Sequence, residues 1–332
     1  MKFSEIKAAR QAAGPASTGS AKSIRNGHPS RLERQPVEII EVEAGSYQEP
    51  LVMSLSGEAG CGKSRLIGTA GSSTKAVGVV PLENKTRQSV LKAAKQFGVK
   101  VYMPEINLIR AENPMRIAAM PPACITEEDH KGKSAALIHR MMLEKSAEYG
   151  YDSAAPDCCH IHYYRWHTNR TKSCCFRLVE MSDVWTVAID TFGQFVEDML
   201  YANYGRVENI MPLEKKAFNQ EVREFLAAMS HKNLILTHHL SAIWKDNKPT
   251  NKNKPKSSFN KLGHFTNVAV EMSVADRKVK GQPQWTLEVK NCTANPELNG
   301  LELLHDGDIS YRQLCECIYP DGEWGDLTAG GN

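Results

Sequence analysis

Several features that would place this chain in a membrane, outside the cell or in a repeat array are missing from its 332 residues. No apolar run approaches the roughly 20 residues of a membrane-spanning helix, so no membrane partner is expected. The first residues, Met1-Lys2-Phe3-Ser4-Glu5-Ile6-Lys7, lack the apolar core of a signal peptide. The expected compartment is therefore the cytoplasm, where the nine cysteines would be reduced, metal-bound or packed rather than paired in disulfides. Charge of one sign is nearly absent as an excess. The net charge is only +3, so any affinity for nucleic acid has to come from a local patch. There is no internal repeat. Residues 1 to about 35 are short of large apolar side chains and rich in Ala, Gly, Ser, Lys and Arg. Such a stretch cannot bury enough surface to offset the entropy of ordering. Residues 1–48 therefore read as a mobile arm, with a possible edge strand at Val37–Val42.

What is there is dominated by one run, Gly57-Glu58-Ala59-Gly60-Cys61-Gly62-Lys63-Ser64. It satisfies G-x-x-x-x-G-K-[ST] at every fixed position. Leu51 to Ser56 before it reads as a buried strand, and Ser64-Arg65-Leu66-Ile67 after it opens a helix. Glycines let backbone N–H groups turn inward around a dense anion with no Cβ in the way. In this reading Lys63 reaches the β- and γ-phosphates of a nucleoside triphosphate, ATP, and the Ser64 hydroxyl ligates Mg²⁺. A second acid fits beside it. Val184 to Ile189 is an apolar run with little alternation, as in a strand buried on both faces, and it ends in Asp190-Thr191. An acid at the end of a central parallel strand can hold Mg²⁺ next to the phosphate loop.

The rest of the chain alternates. Ala76–Leu82 and Val99–Met103 read as strands around a helix at Thr86–Phe97, which Gly98 stops. Pro212–Met229 reads as a helix with Phe218, Val222, Phe225 and Leu226 at helical spacing, followed by a strand at Asn233–Thr237. Val268–Val274 and Trp285–Lys290 read as a terminal hairpin. The expected fold class is α/β: a three-layer P-loop NTPase with a mostly parallel sheet, a terminal hairpin and an inserted subdomain. The core would span 49–308 and be interrupted by an insertion at 111–182, which is too long for one crossover and carries a helix near Ser134–Tyr149. Residues 309–332 would form a short helix, holding Cys315 and Cys317, and a loose tail.

Two further clusters call for chemistry. Lys245, Lys248, Lys252, Lys254, Lys256 and Lys261 are opposed only by Asp246 and flanked by Trp244 and Phe259. This segment reads either as a solvated loop or as a grip on single-stranded DNA, disordered until DNA is bound, with the aromatics stacking bases. Cys158, His160 and His162 would share one face of a strand, and Cys174 or Cys175 on a returning strand would complete a tetrahedral Zn²⁺ site. Packed thiols are the alternative.

The order of parts resembles the RecA-like ATPases, and among them the small phage-encoded ATPases tied to single-strand annealing and recombination. The resemblance rests on Gly57–Ser64, on Val187-Ala188-Ile189-Asp190-Thr191 and on three shorter matches. It implies that Glu83, after Val79-Val80-Pro81-Leu82, polarises the attacking water. It implies that Leu234-Ile235-Leu236-Thr237-His238-His239 senses the γ-phosphate through His238, although capping the strand or bonding Asp190 would be a structural role for either histidine. It implies that Lys290, in Leu287-Glu288-Val289-Lys290-Asn291, reaches a neighbouring subunit's nucleotide in a homo-oligomer. The family's second basic residue two places on is here Cys292. The resemblance further implies an ATPase acting on single-stranded DNA, in the host cytoplasm if phage-encoded. A nucleotide-gated packaging motor or assembly switch with a protein partner is the other function compatible with the loop.

Overall fold

The computed structural model describes residues 50–304 and 310–320, apart from 84, 105–116, 122, 125–130, 135–136, 139, 142–143, 145–157, 246–247, 257–258, 260 and 280–281. The expected N-terminal arm, the edge strand at Val37–Val42, the loose tail and most of the helix at Ser134–Tyr149 lie outside the described residues.

Ten strands are described: β1 Val52–Gly57, β2 Ala76–Pro81, β3 Val101–Tyr102, β4 Val184–Asp190, β5 Asn233–His238, β6 Leu240–Lys245, β7 Lys248–Pro255, β8 Val268–Val279, β9 Gln282–Cys292 and β10 Glu302–Leu304. The helices are α1 Lys63–Ile67, α2 Thr86–Phe97, α3 His160–Glu180, α4 Phe192–Tyr204, α5 Pro212–Met229 and α6 Tyr311–Ile318. Eight strands form one sheet in the order β10-β9-β8-β1-β5-β4-β2-β3. Pairing from β8 through β1, β5, β4 and β2 to β3 is parallel, and β9 pairs antiparallel with both β8 and β10. The sheet is thus mostly parallel and ends on a hairpin, the α/β architecture expected from the sequence.

Two apolar layers enclose it. On one face Val184, Val187, Ile189, Leu234 and Leu236 pack against Phe192, Phe195 and Met199 of α4 and Phe218, Val222 and Phe225 of α5. On the other, Met53, Leu55, Val77, Val79, Ile235 and Val270 pack against Leu66, Val90 and Leu314 of α1, α2 and α6. The period-2 alternation of strands produces this division: Leu234 and Leu236 face one layer and Ile235 the other.

The helix α3 overturns a local expectation. Its residues read as strands, yet they form 21 helical residues. Its buried residues run from Ile161 and Tyr164 through Trp166, His167, Thr168, Thr171 and Cys175 to Leu178 and Val179, and in the middle of the helix they are largely Thr, His and Cys, which blurs the helical spacing. The helix belongs to the α4/α5 layer, with Cys175, Leu178 and Val179 in that core, so the crossover into β4 starts at His160 rather than after residue 182. α4 has no counterpart in the sequence reading.

Two buried or half-buried amides set the register at the base of β1. Asn233 Oδ1 accepts from Leu51 N and Asn267 Oδ1 from Val52 N, both at 2.7 Å. Each holds the strand entering the phosphate loop against a neighbour on either side. Asn233→Ala leaves the buried Leu51 N–H without its acceptor, which costs about 1–3 kcal/mol. Urea unfolding should show a lower midpoint with an unchanged m-value.

Candidate functional site

The site lies at the carboxyl ends of β1, β2, β4 and β5, the position where ligands meet open α/β sheets. Gly57 ends β1. A Cβ there would fall 2.5 Å from the carbonyl oxygen of Met272 on β8, and backbone cannot step aside, so only glycine fits. Gly62 caps α1 in the left-handed region at φ 94°. A Cβ on it would also meet the Trp285 indole at 3.1 Å. Trp285 comes from β9, and the Arg65 guanidinium lies 5.3 Å from its ring centroid. The hairpin therefore walls one side of the loop, a contact with no signal in the sequence. Glu58, Ala59 and Gly60 form the exposed crest of the loop, while Cys61 is buried. Burial pushes the Cys61 thiol up, keeping it neutral.

Lys63 is buried, and its Nζ donates to the carbonyls of Gly57 and Glu58, each at 2.8 Å. Ser64 Oγ donates to Asp190 Oδ2 at 2.8 Å. The same oxygen accepts from Thr86 Oγ1 at 2.7 Å, and Oδ1 accepts from Thr237 Oγ1. Asp190 is 2% exposed, so its charge is held by three hydroxyls from three different elements. Ser64 and Asp190 offer oxygen only, a hydroxyl and a carboxylate, which is the donor chemistry Mg²⁺ takes. The residues present fit that ion.

Glu83 follows β2, whose Pro81 is in register with Asp190. Its Oε1 accepts from Thr191 Oγ1 at 3.0 Å and from His239 Nε2 at 2.6 Å. Because a carboxylate only accepts, the proton of that second bond sits on Nε2. Glu83 remains partly exposed, as does His239. The structure thus gathers the loop Gly57–Ser64, Asp190 and Glu83 at one sheet edge, together with Thr86, Thr191, Thr237 and His239.

His238 lies elsewhere. Thr237 and His238 are consecutive on a strand and point to opposite faces. Thr237 turns to Asp190, so His238 turns to the α4 layer, where it is fully buried with its ring edge-on to Phe192 at 5.7 Å. Sequence order could not choose between the adjacent histidines; strand alternation does, and it is His239 that contacts Glu83.

No protein-family model matches the chain, and no curated protein matches it in sequence. Among solved structures, a KaiC-like protein from the hyperthermophilic archaeon Pyrococcus horikoshii is similar at a TM-score of 0.38 and 10% identity, over 78% of this chain and 87% of that one. The fold assignment rests on the sheet order and the loop. Among the described residues no helix is long and apolar enough to cross a membrane.

The remaining candidates are distributed as follows. The lysine segment is an antiparallel ribbon, β6 with β7, rather than a disordered loop; Lys245 pairs with Lys248, and Lys254 with Ser241. Backbone pairing satisfies the peptide groups of a stretch that has little to bury. Lys254, Lys256 and Lys261 are exposed, and Lys256 Nζ lies 3.1 Å from Glu197 Oε1. Lys252 also lies in β7. Phe259 is buried against Phe265 at 6.0 Å, so it anchors the segment and does not stack bases. Lys290 Nζ contacts Glu288 at 2.6 Å and Glu271 at 3.6 Å in its own chain. Burial works to lower its pKa, but the two carboxylates outweigh it and the ammonium is favoured.

The zinc set read from the sequence does not assemble. His160 and His162 lie about 200° apart around α3, and Cys174 lies about 18 Å further along it. His160 Nε2 donates instead to the Ile117 carbonyl at 2.8 Å. The side chains that do converge are Cys124, Cys158, Cys159 and His162.

His238 makes the fold pH-sensitive. Burial lowers its pKa from 6.5 to about 4. The unfolded chain therefore binds more protons in that interval, so the contribution is complete above about pH 6.5 and is lost as pH falls toward 4. The full loss is about 3 kcal/mol. Denaturation curves from pH 4 to 7 should show wild type losing stability on acidification relative to His238→Gln, by an amount of that order.

Proposed function

We propose that this chain binds and hydrolyses ATP with Mg²⁺ and couples the cycle to single-stranded DNA in phage-type recombination or replication. The observation that carries the hydrolytic part is the Ser64–Asp190 contact, with Glu83 placed one strand away. Gly57 and Gly62 let the loop pack against Met272 and Trp285 in a conformation that side chains would not allow. Lys63 would exchange the carbonyls of Gly57 and Glu58 for β/γ-phosphate oxygens. Ser64 and Asp190 would hold Mg²⁺, which neutralises charge developing on the phosphates. Glu83 is available to orient a water and take its proton, and the Nε2–H of His239 fixes the carboxylate for that task.

The DNA-binding part is supported by how β6 begins. His239 is the single residue between β5 and β6, and it contacts Glu83 through its side chain while its carbonyl accepts from Lys256 N at 2.6 Å. The lysine ribbon is thus rooted on the proposed water-activating acid. Lys245, Lys248, Lys252, Lys254, Lys256 and Lys261 would contact backbone phosphates. We further propose a homo-oligomer with nucleotide at its interfaces. Lys290 would reach the neighbour's nucleotide after leaving Glu288 and Glu271. A cytoplasmic setting accompanies this reading.

ATP turnover with and without single-stranded DNA tests the proposal. Lys63→Ala should abolish turnover in a protein that still folds. Glu83→Gln should keep ATP binding and lower turnover by about 10²-fold or more. Wild-type turnover in Lys63→Ala would mean the nucleotide site is misassigned. If DNA leaves turnover unchanged, the packaging-motor or assembly-switch reading with a protein partner takes its place.

Replacing Lys252, Lys254 and Lys256 together with Ala should weaken single-stranded DNA binding. The log–log salt dependence should flatten by about 2, at about 0.7 per phosphate contact on single strands. Fluorescence anisotropy over a salt series reads both, and basal turnover should persist.

A further inference from the structure

We infer that Cys124, Cys158, Cys159 and His162 form a structural Zn²⁺ site that clamps the segment 117–124 to the start of α3. The ligand atoms of the four residues all lie within 4.8 Å of one another. Cys124 Sγ is 3.6 Å from His162 Nδ1 and Cys158 Sγ is 2.9 Å from it. Zn–S bonds of about 2.3 Å and Zn–N bonds of about 2.0–2.1 Å put tetrahedral edges at about 3.6–3.8 Å. The cluster therefore needs only small side-chain adjustments to take the ion, and its three thiols and one imidazole are a common structural zinc set.

The local fold explains how such a set arises without a C-x-x-C spacing. Cys158 lies just before the extended N-cap of α3 and His162 in its first turn, and the chain's entry into the helix brings the two side chains together. Cys159 is the N-cap of that helix. Ser, Thr, Asp or Asn usually stands there because its oxygen accepts from the first-turn N–H groups. A thiolate at the same position is favoured by the helix N-terminus and is a zinc ligand. Cys124 arrives from the other side of the clamp. The same two segments are already joined by His160 N to Pro121 O at 2.9 Å and His160 Nε2 to Ile117 O at 2.8 Å. Beneath them, among the described residues, Ile117, Tyr163, Tyr164 and Ala202 form a separate core, with Met120 and Tyr201 at its edge. A metal at this position would add directly to the stability of the clamp. Zn²⁺ takes thiolates, so binding would release the thiol protons. The site is independent of the nucleotide assignment.

Protein purified without chelators should carry about one zinc per chain by elemental analysis. Full-length protein loaded with Co²⁺ should show the intense visible bands of a tetrahedral centre and thiolate charge transfer in the near ultraviolet. Cys124→Ser and His162→Ala should each lose the metal, and His162→Cys should retain it. His160→Ala and Cys174→Ser should keep a full equivalent. Should the ligand variants not fold, the wild-type protein still decides, because chelation should expose Cys124, Cys158 and Cys159 to thiol reagents. Three results overturn the assignment: no zinc together with free thiols at these positions, a disulfide linking Cys124 to Cys158 or Cys159, or metal lost equally in Cys174→Ser.

Discussion

The rest of the site depends on one buried carboxylate. Asp190 is almost wholly removed from water, and an ionised acid in that position needs its oxygens filled. Ser64 from the phosphate loop, Thr86 from the start of α2 and Thr237 from β5 supply hydroxyl donors. Each bond fixes one element against β4. The loop is thereby held beside β4 although β5 lies between β1 and β4 in the sheet, and α2 is held so that its first turn faces the same point. Hydroxyls suit this task because they can rotate. Each can turn its proton to the carboxylate or offer its lone pairs to a cation, so the arrangement that stabilises the acid is also one a divalent ion can enter.

The strand alternation imposed by a sheet buried on both sides carries the same logic outward. Layers on both faces favour largely apolar strands, which β4 and β5 show, and the strand ends can carry charged and polar side chains. Those ends are where Asp190, Thr237 and His239 sit. Glu83 follows the end of β2 in the same row. The candidate site's polar side chains are thus collected at the sheet's carboxyl edge. His238 instead faces the apolar layer against Phe192 and Gly193 and is held neutral there by burial.

Much of this was legible in the sequence because the signals were local. The phosphate loop is a contiguous motif, α2 ends on Gly98, α5 carries helical spacing, and β4 and β5 are largely apolar runs. What was missed depended on contacts between distant residues or on weak periodicity. α3 hides its buried stripe in Tyr, His, Thr and Cys, so alternating Cys158, His160 and His162 imitated a strand. The partner Cys124, 34 residues before Cys158, carries no local pattern. Phe259 looked available because its neighbours are polar, but its burial is decided by Phe265 and the α4/α5 layer. Trp285 and Thr86 have ordinary surroundings in the sequence and acquire their roles only when the hairpin and α2 close on the loop.

The single-residue junction between β5 and β6 has a mechanical consequence. With one residue between the two strands, β6 starts where β5 ends, and His239 is the junction, at the edge of the candidate site. The eight residues of β7, at about 3.3 Å each, give an arm of about 26 Å. A rotation of about 5° at that junction sweeps the tip through about 2 Å, a distance comparable to a hydrogen bond's length. Were the ribbon to move as one body, a small rearrangement around Glu83 would be geometrically amplified, and a longer linker at residue 239 would absorb it as slack.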